Sequence, residues 1–129
     1  MISSKEGEDE LKIIRKKFDA ASYNDSSISM GTGCTACVVL VTPQKIYTAN
    51  AGDSRAVLCR KGLALPLSSD HKPENEGEKK RIQAAGGDII NGRVNGGLNL
   101  SRSFGDFNYK KVKGKNWDEQ PIICRPDVT

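Results

Sequence analysis

Three short runs rich in β-branched and apolar residues, CTACVVLV, KIYTAN and RAVLCR, follow one another in the first half of the chain. Only turn-forming residues separate them, namely TPQ after the first run and the bend AGDS after the second. Runs of this length and composition, bounded by turn residues, are typical of strands joined by tight connections. The sequence therefore predicts that these strands form an antiparallel meander.

The N-terminal part of the chain favours a helix instead. Residues 7–23 carry apolar side chains at helical spacing, which would form one stripe along a helix. The residues of the stripe are Leu11, Ile14, Phe18 and Ala21. The polar, glycine-bearing segment that follows is typical of a loop, so residues 1–30 are predicted to be an N-terminal helix and loop.

A second helix is predicted within DHKPENEGEKKRIQAAGG. Asn75 can cap its N-terminus, and Glu78, three residues later, would complete a capping box. Gly86 stands where a left-handed C-terminal cap is needed. Ile82 and Ala85 would then face the core.

The rest of the chain has weaker signals. DII and RVNGGLNLS predict short strands around a glycine turn, and the tail from Phe107 to Thr129 is predicted to be mostly irregular, without a closing element. Helices and short antiparallel strands together predict an α+β fold.

Composition limits the setting of the chain. No apolar run approaches the roughly 20 residues that span a bilayer, and MISSKEGEDE lacks the apolar segment of a signal peptide. We therefore expect a soluble protein, cytoplasmic or nuclear, with no membrane partner.

The net charge of +4 is unevenly distributed, because lysines gather in YKKVKGK. Such a run is typical of a solvated loop, and it would also serve as an electrostatic collar for an anionic substrate. No interleaved aromatic residues or zinc-finger spacing accompany the lysines, so nucleic acid is not the expected partner.

The cysteines and the histidine do not indicate a catalytic nucleophile or a zinc site. Cys34 and Cys37 lie three apart in a predicted strand and would point to opposite faces, so the four cysteines are interpreted as small buried hydrophobic residues. The single histidine, His71, has no nucleophile motif to serve, and we interpret it as a hydrogen-bonding loop residue.

One carboxylate is better placed for metal chemistry. Asp53 follows Gly52 at the bend between two predicted strands, from which its side chain can project. Mg²⁺ and Mn²⁺ prefer hard oxygen ligands. An aspartate at such a bend is also a common turn former, and one carboxylate does not make a two-metal site.

Four segments, in this order and spacing, change the interpretation: GTGCTA, YTANAGDSRAVL, DHKPENEGEKKRIQAAGG and RVNGGLNLSRSFGDFNYK. From Gly31 to Thr129 the chain closely resembles the metal-dependent type 2C (PPM) protein serine/threonine phosphatases. The resemblance implies part of a two-sheet antiparallel β-sandwich flanked by helices. It also implies a Mg²⁺ or Mn²⁺ centre and a phosphoserine or phosphothreonine protein as the substrate.

The resemblance also assigns roles to individual residues. Asp53 matches a family aspartate associated with an additional, weakly held metal. Arg102 and Asp106 match recurrent positions in the loop that leads into the flap beside the cleft, which implies substrate binding. The alternative is that these two residues form an internal pair that holds the loop.

Several family motifs have no counterpart among these 129 residues. The motif DGHGG is absent, and DGxWD and DN would follow Thr129. Residues 31–129 are therefore expected to be the central part of a catalytic domain, incomplete at both ends, with little activity alone. A non-catalytic binding or regulatory module is the alternative. Missing strands would expose sheet edges, so either the N-terminal helix covers them or the chain forms a homodimer.

Overall fold

The structure is a computed structural model and describes residues 31–129. The helix predicted at residues 7–23 and the loop after it lie outside the described residues. In chain order the elements are β1 Gly33–Cys34, β2 Ala36–Val41, β3 Ile46–Ala51, β4 Val57–Arg60, β5 Leu63–Pro66, α1 Glu76–Ala84, β6 Ile89–Ile90, β7 Arg93–Val94, β8 Phe104–Gly105, a 3₁₀ turn Phe107–Tyr109 and β9 Asp127–Val128.

The strands β2 and β3 form the predicted antiparallel hairpin. Their register runs from Ala36 opposite Ala51 to Val41 opposite Ile46. The turn is closed by the backbone N–H of Thr42, which donates to the carbonyl of Lys45 at 2.8 Å. Local turn chemistry is sufficient to set this pairing.

The predicted three-strand meander is wrong in its third strand. β4 pairs with β5 and not with β3. Lys61 and Gly62, which join β4 to β5, both have positive φ, at 53° and 77°. Two such residues make the type I′ turn that matches the twist of a hairpin. β4 therefore pairs with β5, which follows it directly in the chain.

The free edge of β3 is occupied by the end of the chain. β9 pairs with β3 in antiparallel register, with Ala49 opposite Val128. Thr48 and Thr129 also exchange backbone hydrogen bonds of 2.8 and 2.9 Å. This pairing shows that the prediction of a tail without a closing element is wrong. The strand was missed because β9 has only two residues, too few to form a recognisable strand pattern.

The helix α1 lies where it was predicted, but its start is built differently. Asn75 is the N-cap, yet its side-chain amide donates to the carbonyl of Asp70 at 2.7 Å and makes no cap hydrogen bond. Glu78 is turned inward, so no capping box forms. At the other end Gly86 has φ of 79°, which confirms the left-handed cap.

The small core lies under α1. Ile82, Val94 and Ile122 are fully buried. Ile89, Leu98 and Tyr109 pack against them, partly buried. This core joins the helix, the β6–β7 hairpin and the C-terminal segment, and it confirms the α+β class.

Much of the strand surface is apolar and open to solvent among the described residues. On β2 the side chains of Val38, Val39, Leu40 and Val41 are between 45% and 69% exposed.

No helix within residues 31–129 is long and apolar enough to cross a membrane.

Candidate functional site

Asp53 lies at the bend that leaves β3, as predicted. The bend depends on Gly52, whose φ is 118°. A β-carbon there would also lie 3.0 Å from the carbonyl oxygen of Arg102 and against the side chain of Thr35. A larger residue would therefore strain the backbone and collide with both neighbours.

The carboxylate of Asp53 has a cationic partner. The ammonium of Lys72 forms an ion pair with Oδ2 of Asp53 and also donates to the carbonyl of Asn99 at 3.3 Å. The two side chains of the ion pair are 22% and 38% exposed, so solvent reaches both. Asp53 is thus held at the surface by one lysine.

His71 anchors the same bend from inside. It is buried, and its Nδ1 accepts a hydrogen bond from the backbone N–H of Gly52 at 3.1 Å. Its Nε2 lies 3.1 Å from a carboxylate oxygen of Asp127. Nδ1 also lies 3.2 Å from the carbonyl oxygen of Gly52, so the tautomer of the ring sets which of these contacts the histidine donates to. This arrangement agrees with the interpretation of His71 as a hydrogen-bonding loop residue.

Asp127 connects the histidine to Arg102. A guanidinium nitrogen of Arg102, Nη1, donates to Asp127 at 2.7 Å and to the carbonyl of Arg125 at 2.9 Å. Burial alone would raise the pKa of Asp127, but the hydrogen bonds from His71 and Arg102 lower it below its ordinary value. The surroundings therefore favour the ionised form of Asp127.

The other side of Arg102 faces Glu78 of α1. Nε and Nη2 of Arg102 donate to the same oxygen, Oε1 of Glu78, at 3.1 and 2.6 Å. The second oxygen, Oε2, accepts from the hydroxyl of Ser101 at 2.6 Å and pairs with Arg81 at 2.8 Å. Two arginines therefore share one buried carboxylate.

The surroundings of this carboxylate favour its charged form. Burial raises the pKa of Glu78, but hydrogen bonds from Arg102 and Ser101 and the charge of Arg81 bring it below its ordinary value. We call Glu78, Arg81, Arg102 and Asp127 the arginine network. It forms one wall of a cavity of about 790 Å³.

Asp106 is held at a separate point of the loop. Its backbone is left-handed, with φ of 50°, and its carboxylate accepts from the hydroxyl of Ser103 at 2.6 Å. Its backbone N–H donates to the carbonyl of Thr32 at 2.9 Å. Arg102 and Asp106 are therefore both held internally, but by different partners and not by each other.

The described residues do not fit a Mg²⁺ or Mn²⁺ site by themselves. Nowhere in residues 31–129 do three or more histidine, cysteine or acidic side chains gather as a metal site would require. Asp53 supplies a single carboxylate, and Lys72 is already bound to it. A divalent cation at Asp53 would need further oxygen ligands from outside these residues.

The cysteines are free, and two of them contradict their interpretation as buried residues. Cys34 and Cys59 are exposed, whereas Cys37 and Cys124 are partly buried. Cys34 lies on β1 and Cys59 on β4, and strand composition alone does not show which face of a strand is covered.

The roles that the resemblance assigns to Asp53, Arg102 and Asp106 stay predictions. Of the arginine network, the sequence analysis names only Arg102 as a site residue and misses Glu78, Arg81 and Asp127. Glu78 was assigned to a helix cap, because the same residue type and spacing serve both roles. Asp127 lies in a tail without periodicity. Only the long-range pairing of β9 brings it to Arg102.

The fold and these motifs define a phosphatase class. The family model described as Protein phosphatase 2C matches residues 1–129, and the chain belongs to that family. Among its relatives, protein phosphatase ppm-1.G of Caenorhabditis elegans is 63% identical over 97 residues, which cover 75% of this chain and 20% of that protein. Probable protein phosphatase 2C 6 of Paramecium tetraurelia is 48% identical over 128 residues, covering 99% of this chain and 41% of the relative.

Solved structures give the same result. A phosphatase from a pathogenic strain of Toxoplasma gondii matches with a TM-score of 0.61 and 42% sequence identity, covering 64% of this chain and 26% of that structure. The chain thus spans between a fifth and two fifths of the length of the relatives named above.

Proposed function

We propose that residues 31–129 form the central part of a type 2C phosphatase catalytic domain that is incomplete at both ends. The parent protein hydrolyses phosphoserine and phosphothreonine in proteins and requires Mg²⁺ or Mn²⁺. The observation that carries the proposal is the match of the phosphatase family to residues 1–129, together with an aspartate at the β3 bend. The small share of each relative that the chain covers supports the incompleteness.

The chain's own residues would contribute positioning. Gly52 and His71 fix the direction in which Asp53 leaves the sheet, and Lys72 holds its carboxylate until other oxygen ligands take part. The metal, when bound by the complete domain, would supply an activated water and neutralise the phosphate. Its additional ligands would come from residues outside 31–129.

Arg102 and Asp106 remain predicted substrate-binding residues. Their internal hydrogen bonds support a second role, which is to hold the loop in one conformation. A substrate phosphate that reached Arg102 would compete with Glu78 and Asp127 for its guanidinium.

The test compares a longer polypeptide with two of its variants. A longer polypeptide that carries the flanking family motifs should release phosphate from a phosphoserine peptide in the presence of Mn²⁺. If it folds and releases none, the proposed function is wrong. Asp53→Ala in that polypeptide should raise the Mn²⁺ concentration needed for activity, whereas Asp88→Ala, an acidic residue elsewhere on the chain, should leave it unchanged.

The 129-residue chain by itself should show little or no turnover of p-nitrophenyl phosphate. The reason is that the described residues offer one candidate metal carboxylate. A Mn²⁺-dependent rate that disappears in Asp53→Ala would contradict this expectation.

A non-catalytic binding module is the second candidate function. The observation that favours it is the lack of any clustered metal-ligating side chains within the part of the chain described here. An inactive longer polypeptide that still captures a partner would favour this function over catalysis.

A further inference from the structure

The loop between the 3₁₀ turn and the C-terminal segment concentrates positive charge. We call residues 110–117 the lysine loop. It contains four lysines and no acidic residue, so its charge of +4 is as large as the net charge of the whole chain. The lysines are Lys110, Lys111, Lys113 and Lys115.

The beginning of the lysine loop is fixed to the body of the protein. Tyr109 packs against the buried core, and its backbone N–H donates to the carbonyl of Asp106 at 3.0 Å. Lys110 turns inward, where its ammonium donates to the carbonyl of Ser103 at 2.6 Å. Lys110 is therefore a structural residue, and the outward charge belongs to the other three lysines.

The far part of the loop is held by one buried side chain. The amide of Gln120 accepts from the backbone N–H of Val112 at 2.9 Å and donates to the carbonyls of Val112 and Lys115 at 3.1 and 3.0 Å. The backbone N–H of Asn116 donates to a carboxylate oxygen of Glu119 at 2.9 Å. These contacts order the loop in advance, which lowers the entropy that a binding partner would have to overcome.

The outer side chains of the loop are open to a partner. Lys111 and Lys113 are exposed, and Lys115 is partly buried. None of these three lysines forms an ion pair with any carboxylate of residues 31–129; Lys111 donates only to the neutral amide oxygen of Asn108, at 3.0 Å. The loop is thus an ordered surface with uncompensated charge and a half-exposed indole, that of Trp117, at its end.

We propose that the lysine loop is a docking surface for an acidic segment of a protein. Lysine ammonium groups act as point charges that donate to carboxylates in many orientations. The arginine fork that favours bidentate phosphate contact is missing from residues 110–117. A single aromatic residue does not supply the stacking platforms of single-stranded nucleic-acid binders. The identity of the partner rests on the proposed function. The partner is the phosphoprotein substrate, and its acidic residues away from the phosphorylated site bind the loop.

The experiment measures binding, not catalysis, on the full 129-residue chain. The probe is a fluorescein-labelled, glutamate-rich peptide, and glutamine replaces each glutamate in its control peptide. Fluorescence anisotropy should show binding of the acidic peptide that weakens with salt, and little binding of the control peptide. The triple substitution K111Q/K113Q/K115Q should weaken binding about tenfold, as expected when several exposed ionic contacts are lost together.

A matched variant separates the loop from net charge. K45Q/K61Q/K79Q removes the same charge from exposed lysines elsewhere and should leave the affinity nearly unchanged. K111R/K113R/K115R should retain binding, and circular dichroism should show that all variants are folded.

Three results would overturn the docking surface: equal loss in the two glutamine variants, no binding of the acidic peptide, or a single-stranded RNA that binds more tightly than the peptide. None of these depends on phosphatase activity. An inactive longer polypeptide would refute the proposed function and the identity of the partner as its substrate, while the binding of acidic segments to the loop would stand. Failure of binding would refute the docking surface and leave the proposed function in place.

Discussion

At the scale of single residues, the charge balance of the arginine network decides what each substitution does. Glu78 is buried and compensates Arg81 and Arg102 at the same time. A buried ion pair gives little net stability over an apolar replacement. The loss of one partner is costly, however, because it leaves the other charge buried without compensation. Arg81 therefore depends on Glu78 for its counter-charge, whereas Arg102 depends on both Glu78 and Asp127.

We expect Glu78→Gln to lower the free energy of unfolding by about 3 kcal/mol, because Arg81 would lose its carboxylate partner and Arg102 would keep only Asp127. The measurement is urea denaturation at neutral pH. The control is Glu76→Gln in the same helix, whose ion pair with Lys80 joins side chains that are 78% and 74% exposed. That control should change stability by less than about 0.5 kcal/mol. Equal effects in the two variants would contradict the role of the network.

The same residue predicts a pH dependence. The folded protein lowers the pKa of Glu78, so the unfolded chain takes up the proton first as the pH falls. The stability from Glu78 is therefore complete above the ordinary pKa of about 4.3 and is lost as the pH drops through the lower folded value. Denaturation of the parent and Glu78→Gln at several pH values should show their difference shrinking in acid. A constant difference would contradict the prediction.

At the scale of elements, the pairing of β1 with β8 leaves no room for a side chain at Gly33. Gly33 pairs with Gly105, and a β-carbon at Gly33 would lie 2.7 Å from Oδ1 of Asp106. The carboxylate cannot easily move away, because the hydroxyl of Ser103 holds it. The pairing of these strands therefore requires glycine at position 33.

Gly33→Ala should lower the free energy of unfolding by about 1 to 3 kcal/mol through overpacking. Gly77→Ala is the matched control, because Gly77 lies in α1 and nothing would approach its new methyl group within 4 Å. That substitution should stabilise the helix by about 0.5 to 1 kcal/mol. Thermal unfolding measures both, and a shift of the same sign for the two variants would contradict the close packing at Gly33.

The elements also show how far the sequence could predict this fold. The β2–β3 hairpin, α1 and the Gly86 cap are set by turn residues and periodicity within a few positions, and all were predicted. The β3–β9 pairing and the contact of Arg102 with Asp127 join residues far apart in the chain. No local pattern encodes them, so the closing strand and the arginine network were missed.

At the scale of the whole molecule, the apolar edge strand is the main liability. β2 has a partner on one side only among the described residues, and its four exposed apolar side chains run from Val38 to Val41. Long, exposed apolar edges are sites of strand-to-strand association. We propose that the chain alone forms a homodimer through this edge, where the remainder of the parent domain would otherwise pack.

Sedimentation velocity over a range of concentrations tests the homodimer. We expect reversible association, with Val39→Lys increasing the dissociation constant at least tenfold because a charged side chain blocks edge pairing. Ile90→Lys introduces the same charge at a residue of similar exposure on β6 and should have little effect. A compact monomer at high concentration would refute the homodimer.

The partnership of Asp127 with His71 has a consequence for biosynthesis. The histidine that orders the Gly52 bend is itself oriented by a residue that the ribosome adds 56 positions later. Until that aspartate leaves the exit tunnel, His71 at the nascent bend lacks its contact with Asp127, and β3 lacks its pairing with β9. The segment around Asp53 therefore gains the Asp127 contact only after the β2–β3 hairpin and α1 have been synthesised.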